Sequence, residues 1–364
     1  MTDGVRLACA ADGPWDAMVR AVVGELGSFD PENTVGLVYV SDRLADRFAA
    51  TVELLKQGTG VRHWVGTLGY GITADHSEYY DRPAIAALAL SMPADRFRIV
   101  EPRADGADPV GDHGAWIAQT SPMLGLFHAG AGTPNLLRDL GTLVETTGCF
   151  VVGGLTASRA ASLTVAGRVA TDALSGVLFA GSVPLATGIA QGCAPVGPVH
   201  RVTASDRNIV FQLDGRPALQ VLFEDLGVSS IAGLKAQADV LNAALPVENS
   251  DRSEYLVRNI LAVDPDRGLV VMGDLMTNGA PLLFCRRDRE SAVADMRAMV
   301  DDIAGRLPGV PRAAVYVTCV ARGPNLFGEE SEEVALIRER LGPVPLIGFF
   351  ANGEIFNGRL HGYT

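Results

Sequence analysis

Three segments of this chain repeat one order of events: an apolar run of β type, a stretch with helical periodicity, a second apolar run, and then a glycine-rich turn. The first runs from VGLVYV at Val35, through residues 42–57, to VRHWVGTLGYG ending at Gly71. The second opens with LGLFHA at Leu124, passes through 135–147 and closes with CFVVGGLTAS. The third opens with AAVYVTC, passes through 329–341 and closes with PLIGFFANGEIF. The centres of the paired apolar runs (Val38 and Val65, Phe127 and Val152, Tyr316 and Ile347) are roughly 27, 25 and 31 residues apart, close to the ~30 residues of a β-α-β crossover. Because the runs are nearly continuous rather than alternating, both faces of each sheet are expected to be covered. The pattern predicts an α/β protein with two modules built on mixed β-sheets, repeated β-α-β units and flanking helices.

Within the first unit, Leu44, Phe48, Val52 and Leu55 fall on one helical face, with Ser41 placed as N-cap and Gly58 as the stop. Plain antiparallel strands are expected at PAIAALAL from Pro83, GVLFAG from Gly176, LATGIAQG from Leu185, and in VHRVTASDRNIVFQLDG with its Asp-Gly turn at Asp214–Gly215. After a short helix at 218–222 the sequence turns polar, and a new helix is expected from Lys235. That places the division near residue 222: a lead-in at 1–34, a first module at 35–222 and a second at 223–364. In the second, LVRNILAVD, GLVVMGDL and PLLFCRRD read as strands, and 289–306 as a helix with Val293, Met296, Val300 and Ile303 on one face.

Charge narrows the partners. Forty-two acidic residues against 30 basic ones leave a formal charge of −12, which repels phosphate backbones and anionic lipid surfaces, so nucleic acid and membrane are not expected. No apolar run approaches the ~18–20 residues that cross a bilayer, and the opening MTDGVRLACAADGPW lacks a basic flank followed by an apolar core. A cytoplasmic protein is expected. Cys9, Cys149, Cys193, Cys285 and Cys319 are scattered, without a C-x-x-C pair or a histidine at ligand spacing, so reduced thiols and no metal are expected.

The glycine-rich segments GTLGYG, GGLTAS and FFANGE lack the G-x-G-x-x-G and G-x-x-x-x-G-K-[ST] spacings that cradle phosphates, and no nucleotide cofactor is expected. No G-x-S-x-G serine elbow occurs, and His63, His76, His113, His128, His200 and His361 stand isolated, as structural histidines usually do. No residue is assigned as catalytic. The most suggestive place is the end of the Ala314–Thr318 run, where Cys319 is followed by Arg322. A guanidinium there can lower a thiol pKa or fork onto a carboxylate, against the plain alternative of a cysteine packed as a small hydrophobe. Glu354, after Asn352-Gly353, stands at the corresponding end of the unit's closing run. If the two runs are neighbours, Cys319, Arg322, Asn352, Glu354 and His361 face one cleft; the plain alternative is a surface ion pair between Arg322 and Glu354.

C-V-A-R-G-P-N-L-F-G at 319–328, I-G-F-F-A-N-G-E-I at 347–355 and L-H at 360–361 together resemble the C-terminal domain of the FIST family, named for F-box and intracellular signal transduction proteins. VGTLGYGI at Val65, FVVGGLTAS at Phe150, GCAPVGP at Gly192 and NIVFQLDGRPAL at Asn208 are similar, in the same order, to its N-terminal companion. The chain departs from the family's common pattern at the first glycine segment, which lacks the usual cysteine or serine near its start, and at Thr364, where relatives continue with apolar residues.

The resemblance implies a sensory protein that binds small ligands such as amino acids or similar small anionic metabolites. It brings no established catalytic residues. Cys319, Arg322, Gly323, Asn352, Gly353, Glu354 and His361 are the ligand-binding candidates. No kinase, receiver, methyl-accepting or F-box segment is visible outside 35–361, so a signal is expected to pass to a partner protein in trans. The competing readings are a thiol-dependent enzyme using Cys319 and an adaptor that docks another protein.

Overall fold

The computed structural model describes residues 4–103, 108, 110–247, 255–328 and 331–364, and these form two compact units. The first takes in residues up to Ile189 together with Arg297–Thr364, and the second is Ala190–Met296. These units cut the chain elsewhere than the sequence division near 222, because the third β-α-β segment folds with the first two. The fold is α/β with mixed sheets and flanking helices, as the sequence predicts.

Each of the three repeated segments forms a parallel strand pair. Thr34–Ser41 lies beside His63–Gly69, Leu124–Ala129 beside Phe150–Leu155, and Ala314–Cys319 beside Leu346–Ala351. In each pair a glycine stands at an equivalent place: Gly66 opposite Val38, Gly153 opposite Phe127, and Gly348 opposite Tyr316. A Cβ at these glycines would sit 1.7, 1.7 and 1.8 Å from the carbonyl oxygen of the facing residue, so no larger residue fits without moving the strands. Most of the glycines in GTLGYG and GGLTAS therefore lie inside strands, not in the turns expected for them.

The parallel pairs are built into three sheets of the first unit. One runs Val5–Ala11, Ala84–Ser91, Thr34–Ser41, His63–Gly69, Leu163–Ala166 and Arg168–Thr171. Another runs Arg359–His361, Glu354–Phe356, Phe150–Leu155, Leu124–Ala129, Ser175–Phe179 and Phe97–Val100. The third runs Ala314–Cys319, Leu346–Ala351, Gly71–Ala74 and Ser77–Tyr80. Strand alternation divides the core accordingly. Leu37 and Tyr39 join a central cluster with Phe349, Leu126 and Val177 from the other two sheets. Val38, Val40 and Trp64 point the opposite way, onto helices Trp15–Leu26 and Phe48–Thr59 through Val22, Phe48 and Leu55. Phe127 and Val151 meet Leu140 and Leu143 of helix Leu136–Thr147 on the far side. Four layers result, helix on sheet on sheet on helix, which explains why the apolar runs are continuous. Each fully buried large side chain contributes about 1.5–3 kcal/mol.

Several local expectations give way to tertiary contacts. The helix after Ser41 is a 3-10 turn at Asp42–Arg47 followed by Phe48–Thr59, and the Ser41 hydroxyl accepts from the Ala84 N–H at 3.3 Å instead of capping. The stop is Gly60; Gly58 lies inside the helix, where a Cβ would meet Val23 of the neighbouring helix at 2.2 Å. The lead-in residues hold a strand and a helix that belong to the first sheet and its cover.

In the second unit the strands are all antiparallel. Pro281–Arg286, His200–Asp206, Ile209–Leu213, Leu269–Met272, Tyr255–Asp264 and Leu241–Pro246 pair in that order, and Leu241–Pro246 pairs back onto Pro281–Arg286, closing a barrel. Closure leaves the ladder without an open edge among these six strands. Helix Ala218–Leu226 fills the interior with Leu219, Val221 and Leu222 beside Phe284 and Met272. The expected strand from Leu185 does not form, since residues 184–193 are irregular and the Gln191 and Gly192 N–H groups bind the Asp295 carboxylate at 2.6 and 2.8 Å. The helix expected from Lys235 ends there instead: Ser230 caps Ile231–Lys235 by accepting from the Gly233 N–H at 3.2 Å.

Candidate ligand site

The carboxyl ends of the three parallel pairs converge in the first unit. The Tyr70 N–H donates to the Phe350 carbonyl at 3.3 Å, Ala157 to Leu68 at 3.4 Å, Asn352 to Leu155 at 3.1 Å and Leu155 to Gly353 at 2.8 Å. The turn Asn352–Gly353 and the loop after Cys319 therefore belong to one place, since Cys319 also faces Ala351 in the parallel register and the Val320 N–H donates to the Ala351 carbonyl at 2.9 Å. Strand ends of α/β sheets are where ligands dock, because loops there escape the ladder.

The sequence candidates are brought together, but Arg322 and Glu354 do not pair with each other on a surface. Arg322 is 1% exposed, and its Nε donates to Oε1 of Glu333 at 2.8 Å. Glu333 is fully buried and also accepts from the Gly323 N–H at 2.9 Å, the Tyr316 hydroxyl at 2.5 Å and the Thr318 hydroxyl at 3.3 Å. The guanidinium lies 5.0 Å from the centre of the Phe327 ring. Burial alone would favour losing its proton, but the Glu333 carboxylate outweighs that and raises its pKa. Gly323 holds φ at +53°, and a Cβ there would lie 2.6 Å from Phe350. The loop is thus folded around its own arginine.

Glu354 is 3% exposed and stands directly across from His361, itself buried, in the antiparallel pair that ends the second sheet. Its Oε2 accepts from the Thr364 N–H at 3.1 Å; among the described residues Oε1 makes no hydrogen bond of ordinary geometry, and the Cys319 thiol and the Gly353 N–H also lie against the carboxyl. Burial pushes its carboxyl up to about 8, against the opposing pull of the Thr364 N–H, the Arg322 charge and the thiol. Burial thus favours its protonated form, which can donate as well as accept. Cys319 is 6% exposed, and the Ala321 N–H approaches its sulfur at 3.5 Å. Asn352 is exposed beside this buried group, and Gly353 bends the chain at φ +128° to let Glu354 turn inward.

Other polar groups here escape sequence reasoning. Tyr80 donates to the Val320 carbonyl at 2.8 Å and accepts from Asn325 at 2.8 Å, and its ring packs on Tyr70 and Phe350. Arg159 clamps Asp42 through two bonds at 2.7 and 2.6 Å, with its guanidinium 4.4 Å from the Tyr70 ring centre. Glu78 reaches the Val334 N–H at 3.3 Å, and burial together with the nearby Glu333 charge pushes it up to about 8. Glu333 reads in sequence as an ordinary first-turn helix acid, so only its burial distinguishes it. Tyr70 was within reach, as the tyrosine inside the GTLGYG segment. Deeper in the core, His128 is fully buried with its Nε2 3.0 Å from the Tyr39 hydroxyl, and burial pushes it down to about 3, fitting a neutral structural histidine. Among the described residues, no cluster of three or more His, Cys, Asp or Glu side chains could hold a metal ion, and no helix is long and apolar enough to cross a membrane.

Known sequence families tile this arrangement: the FIST N domain matches residues 34–216, and the FIST C domain matches 218–357. The chain belongs to the FIST family. FIST domains are associated with sensing in signal transduction. This FIST protein is 31% identical over 318 residues to an uncharacterised protein of Mycobacterium tuberculosis, spanning 82% of this chain and 81% of the relative. It is likewise 31% identical over 340 residues to an uncharacterised protein of Mycobacterium bovis, spanning 89% of this chain and 86% of the relative. The FIST C match holds both the arginine loop and the Asn352–Gly353–Glu354 turn, while His361 lies just beyond it.

Proposed function

We propose that this FIST protein is a small-ligand sensor and that the ligand is taken up at the converging strand ends, against Asn352, Gly353, Glu354, Cys319 and His361. The observation that carries the reading is the buried Glu354 carboxyl, whose Oε1 makes no hydrogen bond of ordinary geometry among the described residues. Buried polar atoms are normally hydrogen-bonded, and one aimed at a strand-end loop is a place for a ligand group. Burial favours the protonated form of Glu354, which does not repel an anion and can donate to one. Amino acids and small carboxylates remain the ligand class of choice. Arg322, its charge already balanced by Glu333, and Gly323 act by holding the loop, a role different from the direct anion contact that the sequence suggests for Arg322. The signal would pass to a partner protein.

A thermal-shift screen of amino acids and small carboxylates tests this, since a ligand that binds only the folded state raises its melting temperature. At least one compound should raise it in a concentration-dependent way, and Glu354→Leu should remove the rise while Glu354→Gln, isosteric with the neutral acid, keeps most of it. A library without a hit, or a hit indifferent to Glu354→Leu, would refute the site. The bound compound should also slow alkylation of Cys319; turnover of the compound with loss on Cys319→Ser would favour a thiol enzyme instead.

A further inference from the structure

A second feature lies in the barrel unit, apart from the strand-end site and independent of the sensing proposal. Cys193 and Cys285 are far apart in sequence, yet the short strand Ala194–Pro195 pairs antiparallel with Pro281–Arg286 in the register Ala194 to Arg286 and Pro195 to Cys285. Cys193, two residues before Pro195, is thereby diagonal to Cys285 on the same face, and the two thiols are hydrogen-bonded to each other. Cys285 is fully buried, whereas Cys193 is 7% exposed and lines a cavity of about 540 Å³ together with Gln191, Tyr255, Glu290 and Asp295. Of the two cysteines Cys193 lines the cavity, and Cys285 is not among its lining residues. That is the order of an attacking thiol and a resolving thiol.

We propose that Cys193 and Cys285 form a reversible disulfide, with Cys193 taking the oxidant from the cavity and Cys285 resolving it. The oxidant is a low-molecular-weight disulfide. The Cys193 thiol loses its proton to solvent and its sulfur attacks one oxidant sulfur, forming a mixed disulfide and expelling one thiolate, which takes up a proton. Cys285 then loses its proton, its thiolate attacks the Cys193 sulfur, and the second small thiolate departs and takes up a proton. Two protein thiols are oxidised and one small disulfide is reduced to two thiols. The hydrogen bond to Cys193, followed by burial, raises the Cys285 pKa, so Cys285 stays a thiol while Cys193 is reduced, and the hydrogen-bond contribution is lost once Cys193 is held in the mixed disulfide. Diagonal positions stand about 7–8 Å apart in an ideal ladder, wider than the ~4.4–6.8 Å of a disulfide. The bridge therefore needs the chain before Ala194 to shift inward. Cys193 ends an irregular run, outside any ladder, so that shift breaks no strand pairing. Closing the bridge would fix one wall of the cavity.

The test is to incubate the folded full-length protein with oxidised glutathione, quench with acid, alkylate and map the disulfides. Expected are a Cys193–Cys285 linked peptide, its loss on treatment with dithiothreitol, and a higher unfolding midpoint for the oxidised form. Cys285→Ser should trap glutathione on Cys193, and Cys193→Ser should leave Cys285 unmodified, each with the circular dichroism of the native protein. A persistent glutathione adduct on Cys193 in the unsubstituted protein, a bridge formed only in denaturant, or preferential pairing of Cys9, Cys149 or Cys319 would overturn the proposal.

Discussion

Removing the Arg322 guanidinium should cost far more than an ordinary surface arginine. Arg322 and Glu333 are 1% and 0% exposed and meet at 2.8 Å. In Arg322→Ala the Glu333 carboxylate keeps only neutral donors from Gly323, Tyr316 and Thr318, and remains as a buried charge without a counterion. Breaking such a pair from one side costs about 3–5 kcal/mol. In a unit of this size that lowers the melting temperature by roughly 6–20 °C, at ~2–4 °C per kcal/mol. Glu333→Gln keeps one acceptor oxygen where the carboxylate has two, and strands the arginine. In Arg322→Ala with Glu333→Gln neither charge remains, so the double variant should be less destabilised than the sum of the singles by about 1–3 kcal/mol. Urea unfolding followed by tryptophan fluorescence reads the right unit, because Trp15, Trp64 and Trp116 all lie in it and are the chain's three tryptophans. A strictly additive double variant, or a loss below about 1 kcal/mol for Arg322→Ala, would refute the reasoning.

Glu354 and Glu78 are both raised to about 8, so each contributes stability that is full below the unfolded carboxyl pKa and is lost as pH rises through the folded value. Stability of the first unit should therefore fall between about pH 4.5 and 8, and Glu354→Gln should flatten that fall in urea midpoints taken across the range. His200, whose ring nitrogens lie 2.6 and 2.9 Å from Asp214 and Asp225, must be doubly protonated to serve both; burial opposes the charge, but the two carboxylates outweigh it and raise its pKa. Its contribution is present below the ordinary histidine pKa and lost as pH rises through the higher folded value, so His200→Gln should lower barrel stability at pH 6 by about 2–3 kcal/mol and by less at pH 9, as read by hydrogen exchange in the barrel strands. Gly323→Ala should cost roughly 2 kcal/mol or more, since it adds left-handed strain to the contact with Phe350; a melting temperature unchanged within error would contradict the loop geometry.

The sequence by itself determined the three crossover units, because burial on both faces writes itself into continuous apolar runs and a covering helix into a 3.6-residue period. It also carried the residues of the arginine loop and the Asn352–Gly353–Glu354 turn, and their adjacency follows from the parallel register of one unit. What pairs with what across long separations was decided only in three dimensions. No local pattern announces that Leu346–Ala351 joins Gly71–Ala74, that Leu241–Pro246 closes onto Pro281–Arg286, or that two cysteines 92 positions apart come to be hydrogen-bonded. The same holds for charge: Arg322 looks in sequence like a group reaching out for an anion. Its partner, Glu333, comes from a helix whose sequence is indistinguishable from a solvated one, and burial of both makes the pair part of the scaffold. Periodicity records whether a residue is buried; the identity of its neighbour depends on how distant segments pack.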